Sequence, residues 1–163
     1  MELNDVLARV AAFDTATVCV TGGEPLAQKN ALTLLTALCD ADYSVSLETS
    51  GALDISQVDA RVARIVDLKP PGSGEMARNR WENLAQLTSH DEIKFVLADR
   101  TDYEWARDAI LQHALVQHCS VLMSPVHDEL DPARLADWIL QDRLPVRMQV
   151  QLHKMLWGNV PGK

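Results

Sequence analysis

Five short segments combine polar side chains with glycine or proline, and each has a chemistry it could perform. The first is Thr21-Gly22-Gly23-Glu24-Pro25. Two adjacent glycines let a backbone turn sharply and expose N–H groups at close range. Glu24 offers a carboxylate to a cationic group, such as the amine of an amino-acid-like ligand, and Pro25 fixes the exit from the turn. The same five residues also fit a plain strand-to-helix turn, where a carboxylate is favoured at the first helical turn. Glu48-Thr49-Ser50-Gly51 can hydrogen-bond a polar ligand or serve as a glycine-capped polar turn. Asp67-Leu68-Lys69-Pro70-Pro71 presents a cation beside a rigid loop. Lys69 can meet a carboxylate or a polar cofactor group there, or stand in solvent as most lysines do. Ser124-Pro125-Val126-His127 offers a hydroxyl, a bent backbone and an imidazole. The tail Leu152-His153-Lys154-Met155-Leu156-Trp157-Gly158 reads as a docked segment with Trp157 in a core or interface.

Glu92 and Lys94 flank Ile93. Period-2 alternation puts both on one face of a strand. Inside a barrel they would need partners; on an outer surface they would form an ion pair of little value. The five histidines, His90, His113, His118, His127 and His153, show no metal-binding spacing. Cys19, Cys39 and Cys119 are separated by 20 and 80 positions. That is neither a disulfide framework nor a zinc or iron–sulfur spacing.

The elements that must position these segments follow from periodicity. Six β-branched or apolar runs read as strands: Val18-Cys19-Val20, Val45-Ser46-Leu47, Ile65-Val66-Asp67, Ile93-Lys94-Phe95-Val96, Val121-Leu122-Met123 and Met148-Gln149-Val150-Gln151. Their starts lie 27, 20, 28, 28 and 27 residues apart, which leaves room for a helix between successive strands and predicts a parallel sheet. Leu3, Leu7, Val10 and Ala11, then Ala31, Leu34, Leu35 and Leu38, repeat at helical spacing. Thr101 with Glu104 predicts a capping box ahead of a helix over 102–116. Asp131 before Pro132 predicts another helix start. The expected order alternates helix and strand six times, with the shortest crossover at 52–64. Every polar loop above then follows a strand, at the edge where α/β folds bind ligands.

Composition limits the function. The 163 residues are 47% hydrophobic and 23% charged, which is globular usage and predicts a single domain over 1–163. The net charge is −8, so a phosphate backbone is repelled and nucleic acid is not an expected partner. No apolar run reaches the ~18 residues of a membrane span. The start Met1-Glu2-Leu3-Asn4-Asp5 has no basic and apolar leader pattern, so a cytoplasmic protein without a membrane partner is expected.

In order along the chain, TGGEP, ETSG, DLKPPGSGEM, EIKFV, SPVHD and LHKMLWGN resemble the 7-carboxy-7-deazaguanine synthases, radical S-adenosylmethionine (SAM) enzymes of queuosine biosynthesis. The resemblance runs from about Thr17 to Lys163. It implies an α/β fold, a partial (β/α) barrel of the radical SAM type, assembled as a homodimer. It implies SAM, a 4Fe–4S cluster and Mg²⁺ as cofactors, a flavodoxin-type electron donor, and 6-carboxy-5,6,7,8-tetrahydropterin as substrate. A 5′-deoxyadenosyl radical would start a ring contraction that releases ammonia, so the class is a carbon–nitrogen lyase. Carried over by position, Gly22, Gly23 and Glu24 hold the methionyl end of SAM. Ser50, Asp67, Leu68 and Lys69 lie beside SAM, as do Ser124, Pro125, Val126 and His127. Thr21 touches the pterin. Asp67-Leu68-Lys69 stands where the family commonly has Ser-Pro-Lys. No residue is assigned as catalytic or as a metal ligand.

One departure stands out. The family's CxxxCxxC cluster motif and its QGEG substrate segment do not occur in these residues. Cys19 in a strand and Cys39 in a helix are not replacements. The helix-first order agrees, and the expectation is a barrel whose first strand and cluster loop are missing. The chain is then part of a longer protein, a gene read from too late a start, or a degenerate relative, with the first two favoured by the remaining motifs. Other readings are another radical SAM activity, such as a glycyl-radical activating enzyme, which shares GGEP, and a non-catalytic remnant.

Overall fold

The computed structural model describes residues 2–158 and residue 160. The tail motif's Asn159 and residues 161–163 lie outside the described residues. Six parallel strands form one sheet in chain order: β1 Thr17–Val20, β2 Ser44–Thr49, β3 Ala63–Asp67, β4 Glu92–Leu97, β5 Ser120–Pro125 and β6 Arg147–Met148. Registers are Val20 with Leu47, Leu47 with Arg64, Asp67 with Lys94, and Lys94 with Leu122. Parallel crossovers share one hand, so a strand order that never reverses puts every connection on one face. The burial pattern agrees. Val45, Leu47, Val66, Ile93, Phe95, Leu97, Val121 and Met123 are buried toward the helices. The alternate positions, Ser46, Glu48, Ile65, Asp67, Glu92 and Lys94, are only partly covered and form the inner face of an open, partial barrel.

Five α-helices lie among the described residues: α1 Leu3–Ala11, α2 Ala31–Asp40, α3 Arg100–Gln112, α4 Pro132–Asp142 and α5 Leu152–Trp157. Leu35 and Leu38 of α2 carry its predicted apolar stripe into the core, Leu7 and Val10 of α1 pack partly buried against it, and Leu135 of α4 is also buried there. Asp131 caps α4 by accepting from Ala133 N–H at 2.9 Å, with Pro132 in the first turn. The start of α3 differs from expectation. Asp99, not Thr101, is its N-cap and accepts from Asp102 N–H at 2.9 Å. The helix stops at Gln112, and a 3₁₀ turn at Leu115–Gln117 follows.

Two expected crossover helices are absent among the described residues. Residues 52–62 are irregular. Residues 68–91 hold 3₁₀ turns at Pro71–Ser73, Met76–Arg78 and Trp81–Gln86. Proline and glycine deny this stretch a helical ladder, and side chains fix it instead. Buried Asp102 accepts from Gly72 N–H at 2.7 Å and Ala98 N–H at 3.1 Å. At the other end of the sheet, buried Arg64 makes a two-pronged pair with Asp91, Nε to Oδ1 at 2.9 Å and a second nitrogen to Oδ2 at 2.6 Å. The tail also differs from expectation. Trp157 is 51% exposed, and Leu152, Met155 and Leu156 are more so. A six-residue helix has too little surface to bury all its apolar side chains on one neighbour. No helix among the described residues is long and apolar enough to cross a membrane.

Candidate functional site

The turn after β1 is built on left-handed glycines, Gly22 at φ +99° and Gly23 at +58°. It leads into a 3₁₀ turn at Pro25–Ala27. The Glu24 carboxylate caps this turn, accepting from Leu26 N–H at 3.0 Å. It also reaches across to the turn after β2. There it accepts from Thr49 Oγ1 at 2.9 and 3.0 Å, from Ser50 N–H at 2.8 Å, and from the Ser50 hydroxyl. Burial pushes the Glu24 carboxyl up, but the bonds from Ser50, Leu26 and Thr49 together hold it below the usual range. Glu24 is therefore a brace between two strand-end loops, with both oxygens engaged.

Gly51 closes the second loop at φ +71°, where a Cβ would stand 2.9 Å from Val66 Cγ1. Asn83 holds this loop from outside, donating to the Gly51 carbonyl at 3.1 Å and the Leu53 carbonyl at 2.8 Å. After β3, Leu68 is buried in the core, and its N–H donates to the Lys94 carbonyl at 2.9 Å. Asn79 fixes the backbone of Lys69, accepting its N–H and donating to its carbonyl, each at 2.9 Å. The Lys69 ammonium then pairs with Asp67 Oδ2 at 2.6 Å. Asp67 Oδ1 is buried and accepts no hydrogen bond. Burial raises the Asp67 carboxyl, outweighing the hydrogen bond and charge of Lys69 and the charge of Lys94.

Thr21, Gly23, Glu48, Thr49, Ser50, Asp67, Lys69 and Lys94 line one cavity of about 100 Å³ at the carboxyl ends of β1–β4. Thr21 Oγ1 donates to Glu48 Oε2 at 3.4 Å, and Lys94 Nζ stands 3.9 Å from the same oxygen. Lys94 thus meets the pairing requirement of an inner-face lysine. Glu92 pairs elsewhere, with Arg147 at 2.8 Å.

The expected residues divide into groups. Thr21, Gly23, Ser50, Asp67 and Lys69 share this cavity. Gly22 lines a neighbouring cavity against α1, with Leu3 and Val6. Leu68 places its side chain in the core. Ser124 and Pro125 are not loop residues but the last two of β5, both buried. The Ser124 hydroxyl donates to the Gln149 carbonyl. Pro125, Val126 and His127 line a separate cavity of about 460 Å³ with Leu130, Gln151 and Met155. Val126 N–H donates to the Leu97 carbonyl at 2.8 Å, and a His127 ring nitrogen lies 3.5 Å from Asp128. Reading the sequence named Glu48 only as part of the Glu48–Gly51 segment, without its partners Thr21 and Lys94, and missed Asn79 as a site-builder. Strand alternation flagged Lys94 without naming its partner.

The cavity fits a polar head group. The larger cavity beside β5 has room for a ring system. The residues present do not fit an iron–sulfur cluster. No three His, Cys, Asp or Glu side chains among the described residues are grouped to hold a metal, and Cys39 and Cys119 are buried apart from exposed Cys19.

No protein-family model matches the sequence. Individual proteins do. The chain is 46% identical to the 7-carboxy-7-deazaguanine synthase of Chlorobaculum tepidum, over 97% of this chain and 73% of that protein. It is 44% identical to the 7-carboxy-7-deazaguanine synthase of Koribacter versatilis, over 85% of this chain and 67% of that protein. Its fold matches QueE from Escherichia coli with a TM-score of 0.69 at 19% identity, covering 93% of this chain and 64% of the other. It also matches Streptococcus suis SuiB bound to S-adenosylmethionine, with a TM-score of 0.63 at 14% identity, over 93% and 42%. The chain thus spans about two thirds to three quarters of these synthases' length. With 46% identity over 73% of one such synthase, and a fold that matches QueE, the chain belongs to the 7-carboxy-7-deazaguanine synthase family of radical SAM enzymes.

Proposed function

We propose that this protein serves the conversion of 6-carboxy-5,6,7,8-tetrahydropterin to 7-carboxy-7-deazaguanine, a carbon–nitrogen lyase reaction that releases ammonia. The observation that carries the reading is the charged cavity at the ends of β1–β4, on a chain 46% identical to a synthase of that name. In this reading Thr21 faces the pterin, while Gly22, Gly23 and Ser50 offer backbone and hydroxyl groups to SAM. Glu24 acts on SAM by fixing the two loops against each other, since both its oxygens are already bonded. Asp67 and Lys69 present a paired charge to the cofactor. Leu68 contributes through the core and its backbone. Pro125, Val126 and His127 shape the wider end of the groove, with Ser124 anchoring β5.

A 4Fe–4S cluster would supply the electron that cleaves SAM, and no His, Cys, Asp or Glu group among the described residues is arranged to hold it. Mg²⁺ likewise has no ligand group among the described residues. A flavodoxin-type reductant and a second copy of the chain complete the proposed assembly, in the cytoplasm.

The test is the protein expressed with whatever in-frame sequence precedes Met1, reconstituted anaerobically with iron and sulfide. It is incubated with SAM, a reductant and the carboxytetrahydropterin, and products are read by mass spectrometry. The expected product is 7-carboxy-7-deazaguanine. SAM cleavage without ring contraction assigns a different radical SAM activity and overturns the reading.

A further inference from the structure

Asp91 and Asp102 are both 1% exposed, and they are held differently. Asp91 has the Arg64 guanidinium at 2.6 Å. Asp102 has no ion pair among the described residues. Its oxygens accept from two backbone groups, Gly72 N–H on Oδ1 at 2.7 Å and Ala98 N–H on Oδ2 at 3.1 Å. A carboxylate buried without a cation is costly unless hydrogen bonds hold it. The Ala98 bond is local. Asp102 lies in the first turn of α3, where a carboxylate is favoured, and that bond tightens the β4–α3 corner. The Gly72 bond is not local, since it spans 30 residues to the loop that leaves β3. Helix capping explains the first bond and leaves the second without a reason.

Gly72 is shaped to this contact. A Cβ there would stand 2.6 Å from Asp102 Oδ2. Gly72 is not one of the positive-φ glycines, so its missing side chain answers to the carboxylate and not to the backbone. From Gly72 the constraint runs three residues back to Lys69. Pro70 and Pro71 have fixed φ angles. The Pro70 carbonyl accepts from Ser73 N–H at 3.1 Å and from the Ser73 hydroxyl at 2.6 Å, which locks the turn. Asn79 bonds both backbone groups of Lys69, so the loop is closed at its base and pinned by Asp102 near its first turn. We infer that Asp102 is a positioning residue for the strand-end mouth: acting through Gly72 and the Pro70-Pro71 pair, it sets where Lys69 stands. Lys69 lines the cavity and Asp102 does not. The identity of the ligand that Lys69 meets rests on the proposed function; the coupling of Asp102 to Lys69 does not.

The first experiment follows amide hydrogen exchange of the 163-residue chain by NMR. Asp102→Asn turns an NH₂ group toward one of the two backbone donors. Gly72→Ala places a Cβ against the carboxylate at an exposed loop residue, and it decides the matter should Asp102→Asn fold poorly. In either variant exchange at Lys69 speeds up about 10-fold relative to Phe95 in the core of β4, the lower end for a lost hydrogen bond to a charged group. Tyr103→Phe is the control. It removes a hydroxyl bonded to the Trp138 carbonyl and to Asp142, each at 2.8 Å, and so weakens α3 without touching the loop. Its Lys69-to-Phe95 ratio stays at the wild-type value. A ratio unchanged in Gly72→Ala, or raised as much by Tyr103→Phe, overturns the inference.

The second experiment measures kinetics of the protein expressed with its upstream in-frame sequence and reconstituted with iron and sulfide. Both loop variants raise KM for SAM about 10-fold and leave kcat and KM for the carboxytetrahydropterin within about twofold. Loss of folded enzyme alone lowers kcat at unchanged KM, and that result in both variants overturns the inference. A wild-type protein without ring contraction, whose Lys69 exchange still answers to Gly72→Ala and not to Tyr103→Phe, supports the inference and refutes the proposed function.

Discussion

Glu24→Gln isolates the brace between the first two strand-end loops. Two backbone donors meet this carboxylate, Leu26 N–H on Oε1 and Ser50 N–H on Oε2. The hydroxyls of Thr49 and Ser50 can rotate to suit an amide; the two backbone groups cannot. An amide has one acceptor oxygen, so either orientation turns its NH₂ group toward one backbone N–H. An unsatisfied buried donor costs about 1–3 kcal/mol. Glu24 is only half-buried, so the lower part of that range is expected. At about 2–4 °C per kcal/mol for a chain of this size, the melting temperature falls by about 2–8 °C. The pH dependence follows from the lowered carboxyl. A depressed folded-state pKa adds stability that is present above the unfolded value of 4.5 and is lost as pH falls through the folded value. The gap between wild type and Glu24→Gln is therefore full near neutrality and narrows below about pH 4.5. Thermal unfolding followed by circular dichroism across that range reads both effects. Equal melting temperatures near neutrality, or a gap that stays constant into acid, would refute the bracing role.

Gly51→Ala meets two penalties, about 1–2 kcal/mol for a left-handed backbone and about 1–3 kcal/mol for forcing a Cβ against Val66. Urea unfolding should show a lower midpoint, and an unchanged midpoint contradicts the loop geometry. Of the three thiols, only exposed Cys19 should react quickly with a thiol reagent near neutral pH. Cys39 is buried, and burial with the nearby charge of Asp91 pushes Cys119 up to about 11. Fast labelling of two or more cysteines in the folded chain contradicts this packing.

Much of the sheet was legible in the sequence because its physics is local. Val45, Leu47, Ile93 and Phe95 alternate with polar neighbours, and such runs declare a strand and its two faces without knowledge of what covers them. The loops after β1, β2 and β3 were legible for the same reason, since glycine and proline mark turns wherever they stand. The connector over 68–91 was not legible. Its order comes from Asn79, Asn83 and Asp102, whose partners lie 10 to 32 residues away. The cap of α3 was misplaced because Asp99 and Thr101 both fit a helix start, and only tertiary packing selects between them. Ser124 reads as a loop residue because Pro125 follows it, yet β4 pairs with it to the strand's end. The meeting of Glu48, Asp67 and Lys94 depends on register across three strands, which no single run of sequence encodes. The tail misled in the other direction, since apolar residues at helical spacing need not be covered by the same chain.

The central claim is that the carboxyl ends of β1–β4 are the ligand-binding mouth of a deazaguanine synthase. Amide chemical-shift mapping of the isotope-labelled chain with millimolar SAM and 6-carboxy-5,6,7,8-tetrahydropterin tests it most directly. The account predicts shifts at Thr21–Glu24, Ser50, Asp67–Lys69 and Lys94. Shifts confined to the outer, helix-covered face, around Trp81 and His113, would contradict it.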